Sequence, residues 1–392
     1  MSDHIKSADK AYIAATYNRS DVEIATGNGA VCYDYDGVSY IDFTSGIGVN
    51  SLGFCDNGWV AAVSEQTKTL NHTSNLFYTA PAVKLAKALC DATGYQKAFF
   101  CNSGAEANEC AIKAVRKHYF DQTFEEKNVI ITLKNSFHGR TVTTLSATGQ
   151  EHFHQFFNPF TKGFVYVEPN QIDEFHYAVN QENVCAVMLE LIQGEGGVCP
   201  LDLEFVKEVA DICDKKGILL IADEIQTGIG RTGSLLCCEQ YNIRPNIVTL
   251  AKGLGGGLPI GTVLFDIKTS EIFSAGQHGS TFGGNPIVCA GAEYILKTVS
   301  KKSFLSEVAA KGEYLKKRLL NIPEVAGVDG MGLMLGVRLK TKKAADVVKT
   351  AAQNGLLLLT AKEKLRLLPP LIITHHEIDQ GIAILESILN EA

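Results

Sequence analysis

The spacing of hydrophobic positions changes character along the chain. Near the start, "AVCYDYDGVSYIDF" (30–43) alternates apolar and polar residues about Asp36-Gly37, which predicts a β-hairpin with a type I′ turn. From about residue 60 to 290 the pattern becomes short apolar runs between helical stretches: "KAFFC" (97–101), "NVIITL" (128–133), "VCAVMLEL" (184–191), "GILLIADE" (217–224), "NIVTL" (246–250) and "GTVLF" (261–265). Runs without alternation suit strands buried on both faces, so they predict a mostly parallel sheet wrapped by helices. Beyond residue 295 come charged amphipathic helices, the glycine-rich "GMGLMLGVRL" (330–339), the run "GLLLL" (355–359) and a last helix from about 376. The expected division is an N-terminal segment, 1–55, that joins a smaller α/β domain, 295–392, with a large domain at 56–294. No Pro/Ser-rich linker or repeat interrupts the chain, so these units should pack closely.

A length of 392 residues suits two domains. The net charge of −7, with no Lys/Arg-dense stretch, argues against nucleic acid or an anionic membrane as the main partner. No apolar run approaches the ~18 residues of a membrane span, and "MSDHIKSADK" is too polar for a signal peptide. The eleven cysteines are scattered, with no CxxC, and read as reduced residues of a cytoplasmic protein.

In open α/β sheets the chemistry sits beyond the C-terminal ends of the strands. After "KAFFC", Ser103 and Glu106 have capping-box spacing, so Ser103 can cap a helix whose first turn offers N–H groups to an anion, with Gly104 allowing close approach. An ordinary capped helix is the alternative. After "ILLIA" come Asp223 and Glu224; an acid at the end of an apolar strand needs a cation or strong donors. A divalent metal is one partner for it and a protonated ring nitrogen another, the second favoured because no cluster of metal-ligand spacing lies nearby.

"NIVTL" leads straight into Lys252 and a glycine-rich turn. A phosphate-binding P-loop has its glycines before the lysine, and here they follow it. Desolvation at such a position would lower the amine pKa, as a lysine that condenses with an aldehyde requires. Three weaker pieces fall on the same side: "NSFHGRT" (135–141) with Phe137 and Arg140, "LELIQGEGG" (189–197) with Glu190, and "HGSTFGGNP" (278–286) with Ser280 and Thr281. Together they describe a ligand with a phosphate, a flat ring, a cationic ring nitrogen and an aldehyde, features combined in pyridoxal phosphate.

"NSGAEANE", "FHGRT", "QGEGG", "ADEIQTGIGRTG", "LAKGLGGGLPIG" and "STFGGNP", in this order, resemble the signatures of the class III pyridoxal-phosphate aminotransferases. The resemblance runs from about residue 20 to the C-terminus. It implies the type I fold of these enzymes, a large domain with a mainly parallel seven-stranded sheet and a small domain from both chain ends, and homodimers with shared active sites. By the same resemblance Lys252 matches the lysine that holds the cofactor aldehyde and then shuttles a proton, and Asp223 the carboxylate that keeps the pyridine nitrogen protonated. Ser103, Gly104 and Ala105 match the phosphate end, with Thr281 reaching over from a partner subunit. Phe137 and Ile225 match the two ring faces, and Gln226 the neighbour of the ring hydroxyl. Arg140, Ser280 and Arg366 match substrate-binding positions, with Glu190 the acid paired to Arg366. The implied reaction is amino-group transfer to a keto acid such as 2-oxoglutarate. Two departures from the family pattern are Phe54-Cys55, where a His-containing run is usual, and Leu191, where many members have proline.

Overall fold

The computed structural model describes residues 2–123, 127–181 and 183–390. Strands β1 (Ile24–Asn28), β2 (Val31–Asp34) and β3 (Ser39–Asp42) form an antiparallel ribbon near the N-terminus. Its β2–β3 turn differs from the expected type I′. Asp34 N–H bonds Val38 O at 3.1 Å, leaving a three-residue loop in which only Gly37 has positive φ (+83°). Asp34 Oδ1 fixes this loop by accepting from Asp36 N and Val38 N, at 2.9 and 2.8 Å. A type I′ turn needs positive φ at both central residues, and Asp36 is spared that cost by one extra loop residue.

The central sheet contains β4 (Lys97–Cys101), β5 (Val129–Leu133), β6 (Phe164–Val167) and β7 (Val184–Leu189). A short ribbon, β8 (Ile192–Gln193) with β9 (Cys199–Pro200), follows β7. The sheet is completed by β10 (Leu219–Asp223), β11 (Ile247–Leu250) and β12 (Gly261–Phe265), in the order β4-β12-β11-β10-β7-β5-β6. Its seven strands are mainly parallel; β12 is the exception, running antiparallel to both β11 and β4. Every residue of β7, β10, β11 and β12 is buried, as their unbroken apolar runs require.

Helix Gly104–Thr123 lies on one face of this sheet through Ala107, Cys110, Ala111, Ala114 and Val115. These positions follow the 3.6-residue period, and their small size lets the helix axis approach Ile130, Ile221, Ile247 and Val263. A second antiparallel sheet has the order β13 (Val325–Met331), β14 (Met334–Leu339), β17 (Lys364–Leu367), β16 (Leu359–Ala361). Between β14 and β16 in the chain, β15 (Leu356–Leu357) pairs in parallel with β3, so segments from both chain ends share one sheet.

Buried Arg231 ties these parts together. Its guanidinium donates to Leu333 O (3.0 Å), Pro369 O (2.5 Å) and Ser45 Oγ (3.3 Å). The arginine of "GIGRTG" is therefore a structural fastener between the sheet loops and both chain ends. Among the described residues no helix is long and apolar enough to cross a membrane.

Candidate active site

Beyond the C-terminal ends of β4, β5, β7, β10 and β11 lies a cavity of about 510 Å³. It gathers Ser103, Gly104 and Ala105 from the start of helix Gly104–Thr123, Phe137 and Arg140 after β5, and Glu190 after β7. Asp223, Ile225 and Gln226 come from the end of β10, and Lys252 from the turn after β11. Strand order thus brings together residues up to 149 positions apart, from Ser103 to Lys252.

At the phosphate-like end, Ser103 Oγ accepts from Glu106 N at 3.2 Å, the expected cap. Glu106 reaches back one residue further than a standard capping box, its Oε2 accepting Asn102 N at 2.8 Å. The acid is thereby tied to the strand end while Gly104 and Ala105 line the cavity at the positive end of a helix dipole.

Asp223 is fixed at both oxygens. Oδ2 accepts from His138 Nδ1 and from Asn108 Nδ2, each at 2.8 Å, and Oδ1 from Ile225 N at 3.1 Å. The adjacent Glu224 points elsewhere, accepting Cys237 N (2.6 Å) and Cys238 N (2.8 Å), and so holds the loop behind the strand. Burial raises its pKa to about 7 despite those donors. Sequence alone does not separate the two acids, since both follow the same apolar run.

Lys252 has φ +42°, a left-handed backbone rarely adopted by a side-chain-bearing residue. Burial lowers its ammonium pKa, opposed by the negative charge of Glu195 and assisted by Arg366. The glycines that follow permit close packing: a Cβ on Gly255 would lie 2.0 Å from Leu258 O.

Two substrate positions differ from expectation. Arg366 pairs with Glu195, Nη1 to Oε1 at 2.5 Å, and not with Glu190. Glu190 is instead held by backbone, accepting Phe137 N at 2.8 Å and Gly194 N at 3.2 Å. Its burial pushes its pKa up to about 7. Glu190 follows buried β7 and meets the loop after the neighbouring β5, whereas Glu195 lies in the turn between β8 and β9, where Arg366 of β17 reaches it. The motif "QGEGG" contains the partner, but spacing cannot show which acid the ribbon turns toward Arg366.

Arg140 is exposed, its guanidinium 5.9 Å from the Phe137 ring centroid and 5.3 Å from that of Phe153. No acid pairs with it among the described residues. Ser280 and Thr281 lie outside the cavity lining. Ser280 Oγ bonds Asn102 Nδ2 at 3.1 Å, beside the capped helix, while Thr281 is exposed. Asn108 and His138, both bonded to Asp223, and Glu195, bonded to Arg366, fall inside the motifs "NSGAEANE", "FHGRT" and "QGEGG", but nothing in their spacing assigns them these partners. Asn108 sits on a helix face that reads as core, and His138 has no partner at a telling spacing.

The family profile described as aminotransferase class-III matches residues 12–389. The chain belongs to this family. An acetylornithine aminotransferase of Haemophilus ducreyi is 50% identical over 391 residues, covering 100% of this chain and 99% of that protein. Among solved structures, an N-acetylornithine aminotransferase of Stenotrophomonas maltophilia is 38% identical with a TM-score of 0.84, covering 97% of each chain. An ornithine aminotransferase of Toxoplasma gondii, described with partial occupancy of PLP at its active site, is 30% identical with a TM-score of 0.94 and covers 99% of this chain and 94% of that one.

The cavity fits that cofactor on its own terms. Gln226 Oε1 is buried without a hydrogen-bond partner and can accept from a ring hydroxyl. The helix start suits a phosphate, Asp223 a protonated ring nitrogen, and Lys252 an aldehyde.

Proposed function

We propose that the protein is a pyridoxal-phosphate-dependent acetylornithine aminotransferase of the cytoplasm, acting in arginine biosynthesis. It transfers the δ-amino group of N-acetylornithine to 2-oxoglutarate, giving N-acetylglutamate 5-semialdehyde and glutamate. The observation that carries this reading is 50% identity over the full chain to a protein of that name, against 30% to the ornithine aminotransferase. Eleven unbridged cysteines agree with a reducing compartment.

Lys252, Asp223, Gln226, Phe137, Ile225, Ser103, Gly104 and Ala105 would hold the cofactor. When bound, it supplies an aldehyde that condenses with the amine and a protonated ring that takes up the electron pair of the cleaved C–H bond. The Lys252 amine, whose pKa burial lowers, removes the proton from the amine-bearing carbon of the donor. In the second half-reaction it delivers a proton to the α-carbon of the new glutamate. Arg140, with no acid of its own, grips a substrate carboxylate through two parallel N–H donors. Arg366 is masked by Glu195 while the donor's methylene chain lies near it, and is released to a carboxylate when the keto acid enters.

Thr281 would reach the phosphate of a second copy. Asn75 Nδ2 bonds Ser280 O (2.9 Å) and Gly283 O (2.8 Å), joining the Thr281 loop to a segment with exposed Leu76, Phe77 and Tyr78. That apolar face, extended by exposed Phe282, supports a homodimer with shared sites.

The deciding experiment follows single half-reactions by the cofactor's visible absorption, with N-acetylornithine, ornithine, N-succinyldiaminopimelate and 4-aminobutyrate as donors. N-acetylornithine should give the largest kcat/KM. A larger value for another donor overturns the assignment, and a protein that stays colourless with pyridoxal phosphate overturns the cofactor. Isomerisation of glutamate 1-semialdehyde without a keto acid would mark an aminomutase, a reading the masked Arg366 disfavours.

A further inference from the structure

The first two turns of helix Gly104–Thr123 do more than present a phosphate cradle. Asn108, fully buried on that helix, donates through Nδ2 to Asp223 Oδ2 and to the His138 backbone O, both at 2.8 Å. Its Oδ1 is buried without a partner, so the amide is oriented by what Nδ2 donates to. His138 Nδ1 meets the same Oδ2 at 2.8 Å, and because a carboxylate only accepts, Nδ1 carries the proton. Each carboxylate oxygen has two lone pairs, and Oδ2 now has both engaged within the protein. Oδ1 has one, taken by Ile225 N at 3.1 Å.

We propose that Asn108 is a positioning residue that locks Asp223 so that Oδ1 alone is offered to the cofactor's ring nitrogen, and that it keeps that carboxylate a weak enough base to leave the proton on the ring. This role rests on the pyridoxal-phosphate reading of the cavity. With the Asn108 donor gone, Asp223 keeps one side-chain partner, can rotate about it, and holds its negative charge less well. Both changes draw the proton away from the ring nitrogen. Asn108 also couples two ends of the site, since the helix that begins at the phosphate position carries it one turn later to the ring position.

The test compares pyridoxal phosphate with its 1-deaza analogue, in which carbon replaces the ring nitrogen. Equilibrium binding to cofactor-free protein is measured for wild type and Asn108→Leu. Wild type should prefer pyridoxal phosphate, and in Asn108→Leu that preference should shrink roughly tenfold, the worth of one hydrogen bond to a charged group. The pH midpoint of the bound cofactor's visible absorption should also move upward in the variant, because a less positive ring withdraws fewer electrons. Equal loss of affinity for both ligands, with an unmoved midpoint, assigns Asn108 to packing and overturns the proposal. Failure of wild type to bind either ligand would instead reject the cofactor reading. A measurement without substitution covers a variant that does not fold: the Asn108 side-chain amide, labelled with ¹⁵N, should shift on loading pyridoxal phosphate and differ from the deaza-loaded protein. Identical spectra with the two ligands would also overturn it.

Discussion

Arg366 donates to Glu195 at 2.5 Å, and both charges act on the Lys252 amine in opposite directions. The pair therefore sets the charge presented to whatever occupies the reacting end of the cavity. In Glu195→Gln the guanidinium is no longer neutralised. The keto-acid half-reaction should gain up to about tenfold in kcat/KM, because the incoming carboxylate no longer competes with Glu195. The donor half should lose about tenfold, since a methylene chain then faces an unpaired guanidinium. Equal changes in both halves, measured in single turnovers, would contradict the masking role.

Arg140 should behave differently. It is exposed and stacked near Phe137 and Phe153, so Arg140→Ala should leave the melting temperature nearly unchanged. With its carboxylate grip lost, kcat/KM should fall on the order of tenfold to a hundredfold in both half-reactions. A loss confined to the keto-acid half would refute the shared role.

Lys252 combines a strained backbone with a desolvated amine. Lys252→Ala should reduce turnover by more than about a thousandfold while pyridoxal phosphate still binds noncovalently. At φ +42° alanine keeps the backbone strain and glycine relieves it. Cofactor-free Lys252→Gly should thus exceed Lys252→Ala in stability by about 1 kcal/mol in denaturant titrations. The reverse order would mean that the left-handed conformation is not maintained without the lysine.

Much of this architecture is legible in the apolar runs, because a strand buried on both faces has no freedom to carry polar residues until it reaches the loop. Asp223 and Lys252 are visible for that reason, each being the first charged residue after such a run. What spacing does not resolve is direction. Asp223 and Glu224 are neighbours, and only the fold shows that one faces the cavity and the other the Cys237 loop. The choice between Glu190 and Glu195 depends on β17, distant by some 170 residues in the chain, so the sequence points to the wrong acid for Arg366. The β2–β3 turn departs from expectation because Asp-Gly fits both a two-residue loop and a three-residue loop closed by glycine in the left-handed region.

Glu190 should leave a pH signature. Burial raises its pKa from the ordinary 4.5 to about 7, so the folded state holds its proton more tightly than the unfolded chain. Stability is then lost as pH rises between these values, and the full penalty stands above pH 7. Glu190→Gln removes the titration but places an amide where both carboxylate oxygens accept backbone N–H groups, which adds a constant cost. The expected observable is a slope: unfolding free energies of variant minus wild type should rise in the variant's favour between pH 5 and pH 8 by up to about 3 kcal/mol. A flat difference would show that Glu190 stays ionised throughout.

Gly104 offers a test of the cradle that does not depend on catalysis. An added Cβ would lie 2.7 Å from Ile225 Cδ1 and 3.0 Å from its Cγ2, so Gly104→Ala must displace Ile225 within the cavity. Alanine is otherwise a good residue at a helix start, and the overlap involves a movable side chain, so the fold should tolerate it. Affinity for pyridoxal phosphate, read by equilibrium dialysis, should weaken about tenfold, the loss of roughly 1.4 kcal/mol of contact and alignment. Adding Ile225→Val removes Cδ1, the closest atom, and should recover part of the loss. If the double variant binds no better than Gly104→Ala, the glycine serves the phosphate directly, through close approach of its backbone, and not by making room for Ile225.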